Sequence, residues 1–297
     1  MFARESEVIM FVVAGVSGNT GSVVAETLLA AGKKVRALVR DAEKGARWRE
    51  RGAEVRVLAS LDDEAGLASA FEGAEGAYVL SPPDVGAVDL IAERRKTAEA
   101  IANAAERSRI PHIVLLSSLG AHLSGPTGPI RTVHETEQRL AKTSAKLTFV
   151  RPAYFLENWG AVASAVKEGT LPTFIASGHV MPMVATRDIG LVAGKALLEG
   201  PPASKVDVIE LAGPRDLSPR DVATLFGKLL GKTVEPQEVP LDAVVPTFMS
   251  FGVSENVSRL YREMYEGIAN GSIDWEKGSA RLVRGNVDPA DVLRAFV

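Results

Sequence analysis

Residues 8–40 constrain this chain more than any other stretch. An unbroken apolar run, Val8 to Val13, leads into Gly15-x-x-Gly18-x-x-Gly21. Val23, Val24, Thr27, Leu28 and Ala31 then recur at helical spacing, and Gly32 stands where a helix C-terminal cap belongs. A second apolar run, Val35 to Val39, ends in Arg40. A continuous run of strand formers is what a parallel strand buried on both faces needs. The order is strand, glycine turn, helix, strand, which is the layout of a dinucleotide-binding unit.

Each glycine has a physical task in such a unit. Gly15 permits the tight turn out of the strand, Gly18 lets backbone approach a pyrophosphate, and Gly21 lets the helix pack closely on the sheet. The free N–H groups and positive dipole end of the helix favour an anionic phosphate. Ser17, Asn19 and Thr20 add side-chain donors. A turn that merely makes a sharp corner is the alternative. An acidic residue at the end of the second strand would suit the ribose hydroxyl of NAD, whereas Arg40 suits a 2′-phosphate. Lys44 adds charge one helical turn on, and Asp41 reads as a helix N-cap. The expected cofactor is therefore NADP(H), against the alternative that Arg40 is a solvated surface charge.

The chain has 297 residues, 46% apolar and 24% charged, enough for one large or two small domains with a sizeable core. A net charge of −3 gives no general attraction to nucleic acid. Arg94-Arg95-Lys96 lies in a helical pattern and reads as a solvated face. With no cysteine, disulfides, thiolate catalysis and cysteine-based zinc sites are all excluded, which fits a cytoplasmic protein. His112, His122 and His179 show no ligand spacing, so no metal is expected. The longest apolar run, Val8 to Val16, is too short to span a bilayer, so no membrane association is expected. Glu5 and Glu7 upstream of it, and no small-residue cleavage site after it, argue against a signal peptide. Residues 1–7 read as a disordered or artificially appended leader.

Strand-like runs at 8–14, 34–39, 54–58, 76–81, 112–117 and 146–150 alternate with helical patterns near 20–31, 41–51, 63–71, 87–108 and 132–143. That alternation predicts an α/β fold, a Rossmann-like doubly wound parallel sheet. Residues 1–150 read as the NADP-binding domain. Residues 151–297, richer in Pro and Gly, read as a smaller interleaved C-terminal substrate lobe that closes over the cofactor, with a late strand near 206–211 returning to the main sheet. Ser218-Pro219 begins a helix carrying Val222, Leu225, Phe226 and Leu229. Ligands of such sheets bind beyond the C-terminal ends of the strands. That rule adds Asp62, Ser81, Pro82, Ser117 and Tyr154 to the cofactor candidates Gly15, Ser17, Gly18, Asn19, Thr20, Gly21, Arg40 and Lys44.

These residues resemble the NmrA-like family of atypical short-chain dehydrogenases, which includes NADPH-dependent quinone oxidoreductases. The resemblance spans nearly the whole chain. It rests on Val13 to Gly21, Leu38-Val-Arg-Asp41, Ser81-Pro82, the segment His134 to Leu140, the segment Arg151 to Asn158, Ala185 to Gly190, and Glu210 to Pro214. It implies an NADP(H)-bound sheet lobe and a small substrate lobe. It leaves activity open, because the family holds both reductases and NADP(H)-sensing regulators.

Most short-chain dehydrogenases use Tyr-x-x-x-Lys. Here the residue four beyond Tyr78, Tyr154, Tyr261 and Tyr265 is Pro82, Asn158, Tyr265 and Ala269 respectively, so the dyad is missing. Two residues are candidates to replace it. His134 lies at the start of the fifth helical pattern, where Thr132 and Glu135 read as a capping box that places it in the first turn facing the cleft. A structural or surface histidine bonding to Glu137 or Gln138 is the alternative. Tyr154 reaches substrate or packs against the nicotinamide, and Asn158 bonds a ligand or caps the next helix. The expected activity is NADPH-dependent hydride transfer to a quinone-like or other conjugated, electron-poor small molecule. The alternative is a non-catalytic NADP(H) sensor, for which Val244–Val253, with Pro246, Phe248, Met249 and Phe251, is a candidate partner surface if it is not pocket or core. A homodimer or a regulatory protein partner is left open.

Overall fold

In the computed structural model of the protein, which describes residues 9–278 and 280–297, eight strands form one parallel sheet. Its first six strands are β1 (Met10–Val13), β2 (Lys34–Val39), β3 (Glu54–Val57), β4 (Gly76–Leu80), β5 (His112–Leu116) and β6 (Lys146–Pro152). The helices between and after them are α1 (Asn19–Ala30), α2 (Ala46–Glu50), α3 (Glu64–Phe71), α4 (Leu90–Ser108) and α5 (Ile130–Leu140). The leader expected at residues 1–7 lies outside the described residues, as does Val8 of the first strand.

The second half adds β7 (Tyr154–Phe155), α6 (Ala163–Lys167), β8 (Thr170–Thr173), β9 (Met183–Val184), α7 (Thr186–Glu199), β10 (Val206–Ala212) and α8 (Pro219–Leu230). It ends with β11 (Glu235–Glu238), α9 (Val244–Ser250), α10 (Glu255–Ala269), β12 (Arg281–Arg284) and α11 (Pro289–Leu293). The sheet order is β12-β10-β6-β5-β4-β1-β2-β3, so the chain reverses direction between β1 and β4.

Side-chain alternation builds the layers. Phe11 and Val13 point to one face, where Val24, Ala25 and Leu28 of α1, Trp48 of α2 and Ile189, Ala193 and Leu197 of α7 cover them. Val12 and Ala14 point to the other, against Leu67 and Phe71 of α3 and Ile101 and Ala105 of α4. Both faces are buried, which is why these strands are apolar throughout rather than alternating. Helix α1 ends as the sequence suggested. Gly32 has φ +72°, and Lys33 N–H reaches back to Leu28 O at 3.0 Å. Ser218 caps α8 in a reciprocal box with Asp221.

The smaller lobe has its own core of Leu156, Trp159, Val166, Leu171, Met183, Phe226 and Leu293. The chain leaves the sheet lobe after β6 and returns with α7, β10 and β12. The strand near 206–211 is β10, next to β6.

Several local expectations differ. The helix expected over 41–51 is a 3-10 turn, Glu43–Gly45, followed by the five-residue α2. Asp41 still accepts the Lys44 N–H at 2.9 Å, as a capping carboxylate does. Arg94-Arg95-Lys96 is not a uniformly solvated face. The Arg94 side chain is 11% exposed and reaches Asp84 at 3.5 Å and Pro82 O at 3.4 Å, beneath the loop that follows β4.

Candidate active site

The C-terminal ends of β1 through β6 lie along one edge of the sheet, and the reversal between β1 and β4 opens a crevice there. Gly15 leaves β1 with φ +67°, and a Cβ on it would sit 2.6 Å from Leu80 Cδ2 at the end of β4. A Cβ on Gly21 would sit 2.7 Å from Ala14 O and collide with Gly15 O, so only glycine lets α1 pack this closely on β1. Gly18 behaves differently. Its N–H donates to Gly15 O at 2.9 Å, and a Cβ there would meet only Gly15 O, at 3.3 Å. The outer side of the turn is therefore open, and the first N–H groups of α1 have no partner within the helix. Gly15, Ser17, Gly18 and Asn19 are exposed. These residues fit a pyrophosphate.

Thr20 is a correction to the donor set. It is buried, and its Oγ1 accepts the Tyr78 hydroxyl at 2.8 Å, so its side chain faces β4 and not the open turn. Burial pushes the Tyr78 phenol far above its ordinary range. Tyr78 therefore fastens α1 to β4, and its hydroxyl is no proton donor.

At the end of β2, Arg40 is exposed and forms no ion pair among the described residues, while Lys44 pairs with Asp41 at 3.3 Å. The structure thus leaves the Arg40 guanidinium open beside the turn of the neighbouring strand. Beyond β3, the exposed Asp62 accepts a hydrogen bond from Thr97 Oγ1 of α4. Ser81 and Pro82 stand half-buried at the end of β4.

Ser117 is the second correction. Its side chain is buried, and the hydroxyl donates to Glu137 Oε1 at 2.5 Å, so it is engaged inside the lobe. Glu137 is gripped from the other side by Arg151, with Nε to Oε1 at 2.8 Å and a terminal nitrogen to Oε2 at 2.6 Å. Arg151 extends to Glu276 at 2.6 Å, and the Glu276 N–H donates to Glu210 Oε1. This chain of buried groups joins the ends of β5, β6 and β10 to the segment preceding β12. From the sequence, Arg151 stands out only within a motif, and Glu137 only within a motif and as an alternative partner for His134. A hint was available: Glu137 recurs three residues after His134 on a helix whose Thr136 and Leu140 neighbours are apolar or small, so a carboxylate there faces inward.

His134 is the third correction. Helix α5 begins at Ile130, so Thr132 and Glu135 form no capping box. Thr132 Oγ1 donates to Pro129 O, and Glu135 makes a two-bond pair with Arg95 of α4. His134 therefore lies in the second turn. Its Nδ1 bonds Ala121 O at 2.7 Å, not Glu137 or Gln138. A carbonyl only accepts, so Nδ1 carries the hydrogen and Nε2 is left as the exchangeable position. Nε2 makes no hydrogen bond with any described residue.

Tyr154 follows β6 as the first residue of β7 and is half-buried, with its ring 5.9 Å from that of Trp159. Burial pushes its phenol up, and hydrogen bonds with Tyr265 and Asn158 pull it part of the way back. Asn158 is exposed and lies within a 3-10 segment, Leu156–Val162. The next helix, α6, starts from Val162 with no side-chain cap, while the neighbouring Glu157 reaches the start of α7, its Oε1 accepting both the Thr186 N–H and the Thr186 hydroxyl. A separate groove of about 730 Å³ runs along α1, α7 and α11 and shares only Asn19 with the cofactor candidates.

The model of the NmrA-like family matches residues 7–282. The chain belongs to the NmrA-like family. Among its relatives, it is 28% identical over 279 residues to quinone oxidoreductase 2 of Escherichia coli (strain K12), covering 92% of this chain and 93% of that protein. It is 27% identical over 257 residues to an NAD(P)H azoreductase of Xenophilus azovorans, covering 86% of each. In fold it matches the crystal structure of an NADPH-dependent quinone oxidoreductase from Escherichia coli complexed with NADPH. That match has a TM-score of 0.80 and 24% identity, covering 97% of this chain and 100% of that one. A triphenylmethane reductase from Citrobacter sp. matches with a TM-score of 0.75 and 21% identity, covering 91% and 92%. The eight-stranded parallel sheet flanked by helices is the Rossmann-like α/β fold of these neighbours.

Proposed function

We propose that this protein is an NADPH-dependent oxidoreductase that reduces quinone-like or other conjugated, electron-poor small molecules. The observation that carries the reading is the turn from Gly15 to Gly21, open at Gly18 and set at the reversal of strand order. The family membership and the relatives named as NAD(P)H-dependent reductases support it. Arg40, exposed and without an ion pair among the described residues, is the residue assigned to the 2′-phosphate, with Lys44 adding charge, and it sets the preference for NADPH over NADH. Gly15, Ser17, Gly18, Asn19 and the backbone of Thr20 and Gly21 hold the pyrophosphate. Asp62, Ser81 and Pro82 border the rest of the cofactor.

When bound, the nicotinamide supplies the hydride. The chain's own residues orient the acceptor and manage its charge. A quinone needs less acid help than a ketone, because its reduced oxygen is a stabilised phenolate, and this fits a chain without the Tyr-x-x-x-Lys dyad. His134 is assigned as the proton source. The Ala121 carbonyl holds Nδ1–H, so a proton is exchanged only at Nε2. Tyr154, with its phenol pushed up by burial, stays protonated and donates a hydrogen bond to the developing oxyanion. Steady-state reduction of a quinone by His134→Ala tests the assignment: kcat falls on the order of 10²-fold with the KM for NADPH kept, and full turnover removes His134 from the mechanism.

The second reading is a non-catalytic NADP(H) sensor of the NmrA type. The specific observation in its favour is the exposure of Met249 at 47% and Phe251 at 79%, which leaves apolar surface for a protein partner. It predicts different affinities for NADPH and NADP⁺ coupled to partner binding.

A further inference from the structure

Four rings from the smaller lobe and its neighbour α10 meet, and each keeps part of its surface accessible. Phe248 of α9 lies 5.0 Å from Tyr261, 6.2 Å from Phe174 and 6.4 Å from Tyr265, and Phe174 lies 5.4 Å from Tyr265, all between ring centroids. All four are half-buried, in contrast to Trp159, which is sealed in the lobe core at 4% exposure. Aromatic rings that meet in tilted geometry and keep part of their surface accessible offer faces and edges to a further flat ring. Tyr261 and Tyr265, four residues apart, share one face of α10.

The opposite face of α10 fixes where this surface stands. Ser254, its N-cap, takes Val85 O with its N–H at 2.8 Å and Ala87 O with its hydroxyl at 2.6 Å, both on the loop after β4. Leu90 N–H donates to Asn256 Oδ1 at 3.0 Å. Further along, Glu263 accepts the Gly128 N–H at 2.6 Å, and Gly128, with φ +62°, has no room for a Cβ against Leu260 O. Helix α10 is therefore strapped to the loop that follows β4 and to the one that precedes α5. Tyr265 stands beside Tyr154, which follows β6 as the first residue of β7. The four rings thus stand beside Tyr154, on a helix held by the loop after β4 and the loop before α5, next to the edge along which the acceptor lies in the proposed reaction.

We propose that Phe174, Phe248, Tyr261 and Tyr265 form a preassembled aromatic wall that selects flat acceptors of two or more rings over single-ring ones. This rests on the reductase reading for the reaction but not for the binding. A single ring is covered by one or two members of the wall. A two-ring or larger plane meets three or four, and the strap means that little ordering is spent on assembling them. Phe248 touches all three of the other rings and is the specificity-determining residue whose loss thins the wall most.

The test is the ratio of kcat/KM for a two-ring naphthoquinone to that for a single-ring benzoquinone, in wild type, Phe248→Leu and Phe248→Tyr, with the KM for NADPH as the check that the sheet lobe is intact. Removing the ring lowers the ratio about tenfold, the worth of one good aromatic contact, and Phe248→Tyr keeps the wild-type ratio. An unchanged ratio in Phe248→Leu, or wild type showing no preference for the two-ring acceptor, overturns the wall. If wild type turns over neither quinone, the reductase reading fails by itself. Equilibrium binding of the naphthoquinone to the NADP⁺-loaded protein, followed by tryptophan fluorescence, then decides. Weakening of about tenfold in Phe248→Leu supports the wall, and equal binding overturns it.

Discussion

Tyr78 donates its hydroxyl to Thr20 Oγ1 at 2.8 Å, and both side chains are buried. The bond ties the first turn of α1 to β4, across the reversal of strand order, and so fixes the helix end that faces the cofactor. Removing it in Tyr78→Phe leaves a buried threonine hydroxyl without its donor. The expected cost is about 1 kcal/mol of stability, read by urea unfolding, with kcat unchanged. A large loss of kcat with stability kept would contradict this purely structural role.

The two glycines of the turn separate binding from folding. Gly18→Ala places a methyl 3.3 Å from Gly15 O, on the side where a pyrophosphate would lie, so NADPH affinity falls by about tenfold or more with little change in the unfolding midpoint. Gly21→Ala drives a methyl into Gly15 O and Ala14 O, and costs about 1–3 kcal/mol of stability. Calorimetric titration with NADPH alongside thermal unfolding distinguishes them. Equal effects on both quantities for both variants would contradict this division.

Glu137 holds Arg151 with two hydrogen bonds, and both side chains are about 95% buried. Glu137→Gln keeps the shape and strands much of a buried guanidinium, leaving Glu276 as its remaining partner. We expect about 3 kcal/mol of destabilisation in urea. A double variant, Glu137→Gln with Arg151→Met, recovers part of it.

His112 sits fully buried in β5 with Nε2 3.0 Å from Thr148 Oγ1, and burial pushes its pKa down to about 4. The folded protein therefore holds this ring neutral, while the unfolded chain binds a proton near its ordinary 6.5. The stabilisation is fully present above that value and is lost as pH falls toward 4. Between pH of about 7.5 and about 5 the loss is about 2 kcal/mol. In His112→Leu, whatever its absolute stability, that part of the pH dependence disappears, and an unaltered acid slope would show that the ring is not held neutral.

The sheet was legible because its inner strands are covered on both faces. Val12 and Val13 must both be apolar when helices lie above and below, so β1, β2, β4, β5 and β10 read as runs. β12, with Arg281 and Arg284 at a sheet edge, and the β8–β11 pair, with Pro172 and Pro236, carry no such run and were missed. The glycine turn was legible because Gly15 and Gly21 answer to local steric demands and Gly18 leaves the outer side of the turn open. Side-chain direction was not. Ser117 and Thr20 stand at the expected strand and helix ends but turn inward, toward Glu137 and Tyr78, partners 20 and 58 residues away. The Thr132–Glu135 spacing imitates a capping box, yet Glu135 is drawn to Arg95 on the neighbouring helix. Tertiary pairing decided each of these cases.

The central claim is that this chain passes hydride from NADPH to an electron-poor acceptor. Loss of the reduced nicotinamide absorbance against a panel of quinones, with NADPH and NADH run in parallel and Arg40→Ala beside wild type, tests it most directly. The account predicts saturable turnover with NADPH preferred in wild type and that preference erased in Arg40→Ala. Tight NADPH binding with no turnover on any acceptor would contradict it and leave the sensor reading in its place.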